Sequence, residues 1–182
     1  MLRKFAAALH GRMTANGVEA PSVDVMVYAL SIIVNTMSIA GLTLLAGAIT
    51  GEFWRTLLML AAFAGFRFLT GGYHLKSGAF CIAVSTAVLA AAPHLTLNGL
   101  WTQLLTGAAL IAVLLLAPAN YDQYARISPR HYPLLKAAAA VIVASNFLIG
   151  SDALAIVFGI QAAMLPFKEK VEEKLETSEK AS

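Results

Sequence analysis

The chain has 182 residues, 59% of them apolar and 13% charged, with a formal net charge of +3 and a single cysteine. A water-soluble domain averages roughly 45–50% apolar and about 25% charged residues, so the composition excludes an ordinary soluble fold and points to a bilayer. A lone cysteine also excludes an intramolecular disulfide.

The first 22 residues resemble a signal peptide only at a glance. Arg3 and Lys4 precede an apolar patch, but the patch is too short for an h-region and is interrupted by His10, Gly11 and Arg12. Leu2, Phe5, Leu9 and Met13 recur at helical spacing, with the basic residues elsewhere on the wheel. That pattern suits an amphipathic helix in the membrane interface, in contact with lipid; a frayed lead-in to the first span is the alternative.

Six apolar segments follow, at about Val23–Ala48, Glu52–Leu69, Phe80–Leu97, Leu100–Pro118, Tyr132–Ile149 and Asp152–Phe167. Each is near the roughly 20 residues that a spanning helix needs. The expected fold is therefore all-α, a polytopic membrane domain over residues 23–167 with about six transmembrane helices. The last two segments are short enough that four spans plus a re-entrant hairpin is the alternative. Residues 168–182 alternate in charge and read as a solvated helix or disordered tail without a site.

Arg3, Lys4 and Arg12 precede the first span, Arg67 and Lys76 fall between the second and third, and Arg126, Arg130 and Lys136 fall between the fourth and fifth. Lys168, Lys170, Lys174 and Lys180 follow the sixth, while the turns after spans one, three and five hold no basic residue, Arg55 lying just inside span two. The positive-inside rule makes the basic side cytoplasmic, with both termini there, in a multi-pass membrane protein. Small residues at Ala61–Gly65 and in the alanine run at 137–140 allow close helix packing. Asn35, Ser31, Ser38, Gln103, Asn146 and Gln161 fall within spans, where interhelical hydrogen bonding is the commoner role and lining a substrate groove the alternative.

Chemistry concentrates in FRFLTGGYHLKSGAFCIAVS, Phe66 to Ser85. Glycine adopts positive φ without a Cβ penalty, so Gly71-Gly72 permits a turn, and Ser77 is a plausible N-cap for a helix carrying Cys81 near its start. In one straight helix, His74 and Cys81 would sit about 10 Å apart along the axis, too far for a hydrogen bond. Across a turn they could meet. A thiol near a helix N-terminus and beside an imidazole is activated toward nucleophilic attack, which suits acyl transfer. Each residue also has a bland reading: Cys81 as small packing, His74 as an interfacial side chain, Arg67 as a snorkelling cation, and the glycines as a helix end.

The run R-x-x-x-G-G-Y-H, then Lys76, Cys81 and Ser85, resembles the accessory gene regulator protein B (AgrB) family of membrane cysteine endopeptidases. Tyr28, the APANYD stretch and Pro166 resemble that family too. The resemblance implies that Cys81 attacks a carbonyl of an AgrD-like precursor of a quorum-sensing peptide, with His74 as general base. The N-terminal product is then held as a thioester, which an internal cysteine of the peptide usually captures as a thiolactone.

Gly71 and Gly72, or N–H groups near Cys81, are candidates for the oxyanion site, and Arg67 for holding a substrate carboxylate. The positive face formed by Arg67, Lys76, Arg126, Arg130 and Lys136 is expected to draw in an acidic segment of the precursor while its leader docks near Asn35. Asp122 is a candidate for orienting His74, ordinary turn chemistry being the alternative. His94 and His131 lack metal-ligand spacing, and no HExxH is present, so no metal or cofactor is expected. Nucleic-acid binding has no support, and a homodimer is neither required nor excluded. The competing classes are a small multi-pass transporter and a membrane scaffold that presents a peptide; a transporter would be expected to show internal repeats and charges deep in its spans.

Overall fold

The structure is a computed structural model that describes residues 1–72, 78–120 and 128–167. Regular structure among them is helical: α1 Leu2–Ala15, α2 Val23–Ile49, α3 Phe53–Thr70, α4 Gly78–Ala91, α5 Gly99–Leu116, α6 Tyr132–Ile149 and α7 Asp152–Met164. Short 3-10 turns at Ala92–His94 and Pro129–His131 connect them. The expected N-terminal helix is present as α1, with Leu2, Phe5 and Leu9 exposed. The charged tail lies outside the described residues.

Local chemistry accounts for the helix ends. The side chains of Ser22, Asn98 and Ser151 accept N–H bonds from Val25, Trp101 and Leu154, capping α2, α5 and α7. Gly150 ends α6 in the left-handed region at φ 68°. The third apolar segment was expected to reach Leu97, but its α-helix stops at Ala91. Pro93 cannot continue it, because proline lacks the N–H and clashes with the preceding turn.

Four helical stretches are long and apolar enough to cross a membrane: Val23–Ile49, Phe53–Thr70, Gly99–Leu116 and Pro129–Ile149. The apolar stretches Gly78–His94 and Asp152–Met164 are shorter. The short apolar helices are thus α4 and α7.

The chain divides into two compact units, Met1–Phe53 with Leu75–Ala90, and Trp54–His74 with Ala91–Ser182. In the first, α1 packs on α2, and Arg3 pairs with Asp24 at 3.2 Å on the surface. In the second, α7 is the hub. Ala153, Ala155, Ile156, Val157, Phe158, Gln161 and Ala162 are buried, and a helix buried on most of its faces is coated by protein. Its partners contribute Met59 and Phe66 from α3, Ala109 and Val113 from α5, and Ala139 and Val143 from α6. The Phe66 and Phe158 rings meet at a tilt of 53°, with 4.8 Å between centroids.

Polar contacts fix the direction of these helices. Lys136 Nζ donates to Leu114 O at 3.0 Å, Asn146 Nδ2 to Thr106 Oγ1 at 3.0 Å and Gln103 Nε2 to Phe147 O at 3.4 Å, so α6 runs antiparallel to α5. At one end of the unit, Arg55 Nη2 donates to Asp152 Oδ2 and to Leu95 O, both at 2.9 Å. This joins the starts of α3 and α7 to the segment before α5. Arg55, the one basic residue near the basic-poor turns, is therefore matched by a carboxylate. The opposite end, where α3, α5 and α7 finish, carries Arg67, Gly71 and Gly72.

Candidate functional site

At its C-terminus α3 does not run on into α4. Thr70 is its last residue; Gly71 follows at φ 69° and Gly72 at φ 139°, conformations that side-chain-bearing residues rarely adopt. The break expected from the glycine pair is present. A second segment holds it in place: Ala119 N donates to Thr70 O at 2.9 Å, and Gly72 N donates to Ala119 O at 3.1 Å. The APAN stretch is thus laced to the glycine turn. Asn120 adopts φ 58° and donates from Nδ2 to Phe167 O at 3.0 Å, adding the end of the last helical segment to the knot.

The turn rests on one buried amide. Gln161 of α7 is fully buried; its Nε2 donates to Thr70 Oγ1 at 3.0 Å and to Gly71 O. Its Oε1 accepts from Arg67 Nη1 at 3.4 Å, and the same nitrogen approaches Met164 Sδ at 3.5 Å. The Arg67 guanidinium carbon lies 6.0 Å from the centre of the Phe63 ring. Arg67 is therefore held against α7 from the last turn of α3, where a cation also complements the helix dipole. A Cβ on Gly72 would lie 3.0 Å from Arg67 Nη1 and 3.1 Å from Gln161 Nε2, so a side chain here would press on both.

The two glycines were candidates for oxyanion donors or for a turn. Gly71 N donates to Arg67 O at 2.9 Å and Gly72 N to Ala119 O, so both N–H groups are engaged and the turn is the role this geometry supports.

In the other unit, Cys81 is the fourth residue of α4, one turn from its start, as expected from the sequence. It is buried, at 6% exposure, with Sγ 3.9 Å from Ser85 Oγ. Asn35 of α2 faces the beginning of the same helix: its Oδ1 is 3.9 Å from where a Cβ on Gly78 would stand. That oxygen is buried and has no hydrogen-bond partner among the described residues. Arg130 sits exposed in the turn before α6. His74, Lys76, Ser77, Asp122 and Arg126 lie outside the described residues.

Comparison with known proteins puts this arrangement in a family. The family model of accessory gene regulator B matches residues 3–165, nearly the whole chain. The chain belongs to the accessory gene regulator B family. An AgrB-like protein of Halalkalibacterium halodurans, which carries that name provisionally, is 26% identical over 166 residues, covering 91% of this chain and 82% of that protein. No solved structure matches. Membership connects the chain to processing of the accessory gene regulator quorum-sensing peptide, and its apolar helices mark it as a membrane protein.

Among accessory gene regulator B features, sequence reasoning had singled out the GGYH and APANYD stretches separately. Their pairing through Ala119 was not foreseen, nor was the seating of Gly71 on Gln161. The available signal was Gln161 itself, an amide in an apolar span that needs partners.

Proposed function

We propose that this chain is a membrane cysteine endopeptidase that cleaves, and then cyclises, the precursor of a quorum-sensing peptide. The observation that carries the reading is the break after Thr70 together with a new helix that places Cys81 in its first turn. A thiol at a helix start is placed to act as a nucleophile.

In the proposed reaction His74 takes the Cys81 proton, and Sγ attacks the scissile carbonyl carbon to give a tetrahedral oxyanion. Backbone N–H groups at the start of α4 are the donors best suited to it, since those of the first turn have no intrahelical acceptor. Collapse of the intermediate breaks the C–N bond, and the His74 imidazolium returns its proton to the leaving amine. The C-terminal segment departs, leaving the N-terminal part as a thioester on Cys81. A cysteine thiolate within that peptide then attacks the thioester carbonyl, forming the thiolactone and releasing Cys81.

Asn35 Oδ1, a buried acceptor beside α4 with no partner among the described residues, suits a peptide N–H of the substrate; leaving such an acceptor unpaired costs about 1–3 kcal/mol. Lys76, Arg126 and Arg130 supply positive charge for an acidic C-terminal segment, with the active site and both termini on the cytoplasmic side. Arg67 serves by bracing the turn, because its guanidinium is already directed at Gln161.

The test uses a synthetic peptide with an amphipathic leader, a central cysteine and an acidic tail, presented to the protein in lipid nanodiscs. Cleavage should stop when Cys81 is alkylated, and a peptide-linked thioester on Cys81 should be trapped by mass spectrometry. Continued cleavage by a fully alkylated protein would overturn the assignment.

A further inference from the structure

We infer that α1 is an in-plane anchor that recognises an anionic lipid surface: Phe5 and Leu9 enter the boundary between headgroups and acyl chains, and Lys4 and Arg12 bind lipid phosphates. Such an anchor requires neither peptidase activity nor any contact outside the α1–α2 pair.

The chain ends α1 well before the first span begins. Gly17 N donates to Thr14 O and Val18 N to Met13 O, both at 3.0 Å, with Gly17 at φ 74°. This paired closure around a left-handed glycine terminates a helix. A new helix then starts at Val23, capped by Ser22, so α1 is a separate element and not a frayed lead-in. Its place is set by the Arg3–Asp24 pair, which joins the first turn of α1 to the first turn of α2. α2 has 27 residues, about 40 Å at 1.5 Å each, against a hydrocarbon core of about 30 Å. Asp24 and Tyr28, the latter 48% exposed, mark its first two turns as the ones that reach headgroup level, since charge avoids the core and tyrosine gathers at the interface. α1 is tied to that level.

Two neighbouring stripes run along α1. Ala6, His10 and Met13, spaced by four and three, form one, with Ala6 fully buried and the other two partly so. Phe5, Leu9 and Arg12 form the next, and it is open: Phe5 is 61% exposed and Arg12 is exposed. An aromatic ring, an aliphatic side chain and a guanidinium on one open stripe suit a bilayer surface. The apolar groups gain by leaving water, and the arginine stem lies along them with its head at the phosphates. Charge complements this. α1 holds Arg3, Lys4 and Arg12 and no acidic residue. Asp24 matches Arg3; among the described residues, neither Lys4 nor Arg12 forms an ion pair. Two unmatched cations beside an apolar stripe favour a headgroup with net negative charge over a zwitterionic one. A second copy presenting the same stripe would bring like charges together.

The test uses the full-length protein in nanodiscs. In a Cys81→Ala background, which leaves no other thiol, a fluorophore is attached at Phe5→Cys, or at Ala7→Cys, an exposed position on the opposite side of α1. The discs contain phosphatidylcholine, or an equal mixture with phosphatidylglycerol, each with a quenching nitroxide on the acyl chains. The Phe5 label should be quenched, more strongly in the anionic discs, and the Ala7 label spared. Lys4→Gln with Arg12→Gln should remove most of the anionic increment, because each basic side chain contributes about fivefold to the docked-to-undocked ratio. Lys4→Arg with Arg12→Lys should retain it, and inorganic phosphate added at constant ionic strength should not release the label.

Quenching at Phe5 that is equal in the two lipids, or that survives the double glutamine change undiminished, overturns the inference. So does a Phe5 label that escapes the nitroxide, including one shielded from water only as protein concentration rises, which would assign the stripe to a second copy. Should Phe5→Cys not fold, Leu9→Cys reports on the same stripe with the same outcomes.

Discussion

Gly72→Ala measures how much of the site depends on the turn. The new Cβ would stand 3.0 Å from Arg67 Nη1 and 3.1 Å from Gln161 Nε2, on a residue at φ 139°. Forcing alanine into such a backbone conformation costs about 1–3 kcal/mol. Displacing the guanidinium or the amide sacrifices a further hydrogen bond, about 1 kcal/mol. The native turn is then disfavoured by about 2–4 kcal/mol, which is roughly 30- to 1,000-fold. Gly65→Ala is the matched control: it lies within α3, a Cβ there meets nothing within 4 Å, and it should stabilise by about 0.5–1 kcal/mol. Both variants are to be compared by peptide cleavage in nanodiscs and by unfolding in mixed micelles. Equal activity and equal stability of the two proteins would refute the claim that Gly72 is constrained by Arg67 and Gln161.

Cys81→Ala and Cys81→Ser should each insert and fold normally, as judged by gel filtration in detergent, yet release no product from the synthetic peptide. Gly159→Ala would put a Cβ 2.8 Å from Leu105 Cδ1, so the α5–α7 contact should lose about 1–2 kcal/mol in micelle unfolding, relieved by Leu105→Val. Asp152→Ala strands Arg55 beside Leu95 O and should cost about 1–3 kcal/mol, less than a fully buried pair because both side chains are about a quarter exposed; Arg55→Met in the same chain should recover most of it. Arg130→Glu should raise KM for an acidic-tailed peptide at low salt with little change in kcat, an effect that fades as ionic strength rises.

Helix positions were legible because hydropathy and capping act locally: α6 covers the predicted Tyr132–Ile149, and α2, α3 and α5 begin or end within two residues of expectation. The turn at Gly71-Gly72 was legible for the same reason. Asn146 and Gln161 were recognisable as interhelical donors, since a bilayer offers them nothing else. Their partners were not recognisable. Gln161 finds Gly71 across 90 residues, and Arg55 finds Asp152 across 97. Such pairings depend on which helices become neighbours, and hydropathy does not encode that choice. The brevity of α4 was also hidden, because the apolar run continues to Leu97 past the proline that ends the α-helix.

The seating of the glycine turn on α7 has a consequence for biosynthesis. A ribosome adds about 5–20 residues per second, so the amide of Gln161 emerges roughly 5–20 s after the turn that it supports. Through that interval the carboxyl end of α3 lacks the support of Gln161. Maturation of the proposed catalytic end therefore waits on insertion of the last helix, and nascent chains arrested before Asp152 should hold the turn unassembled. A membrane protein built this way completes that turn only once its α7 segment is in place.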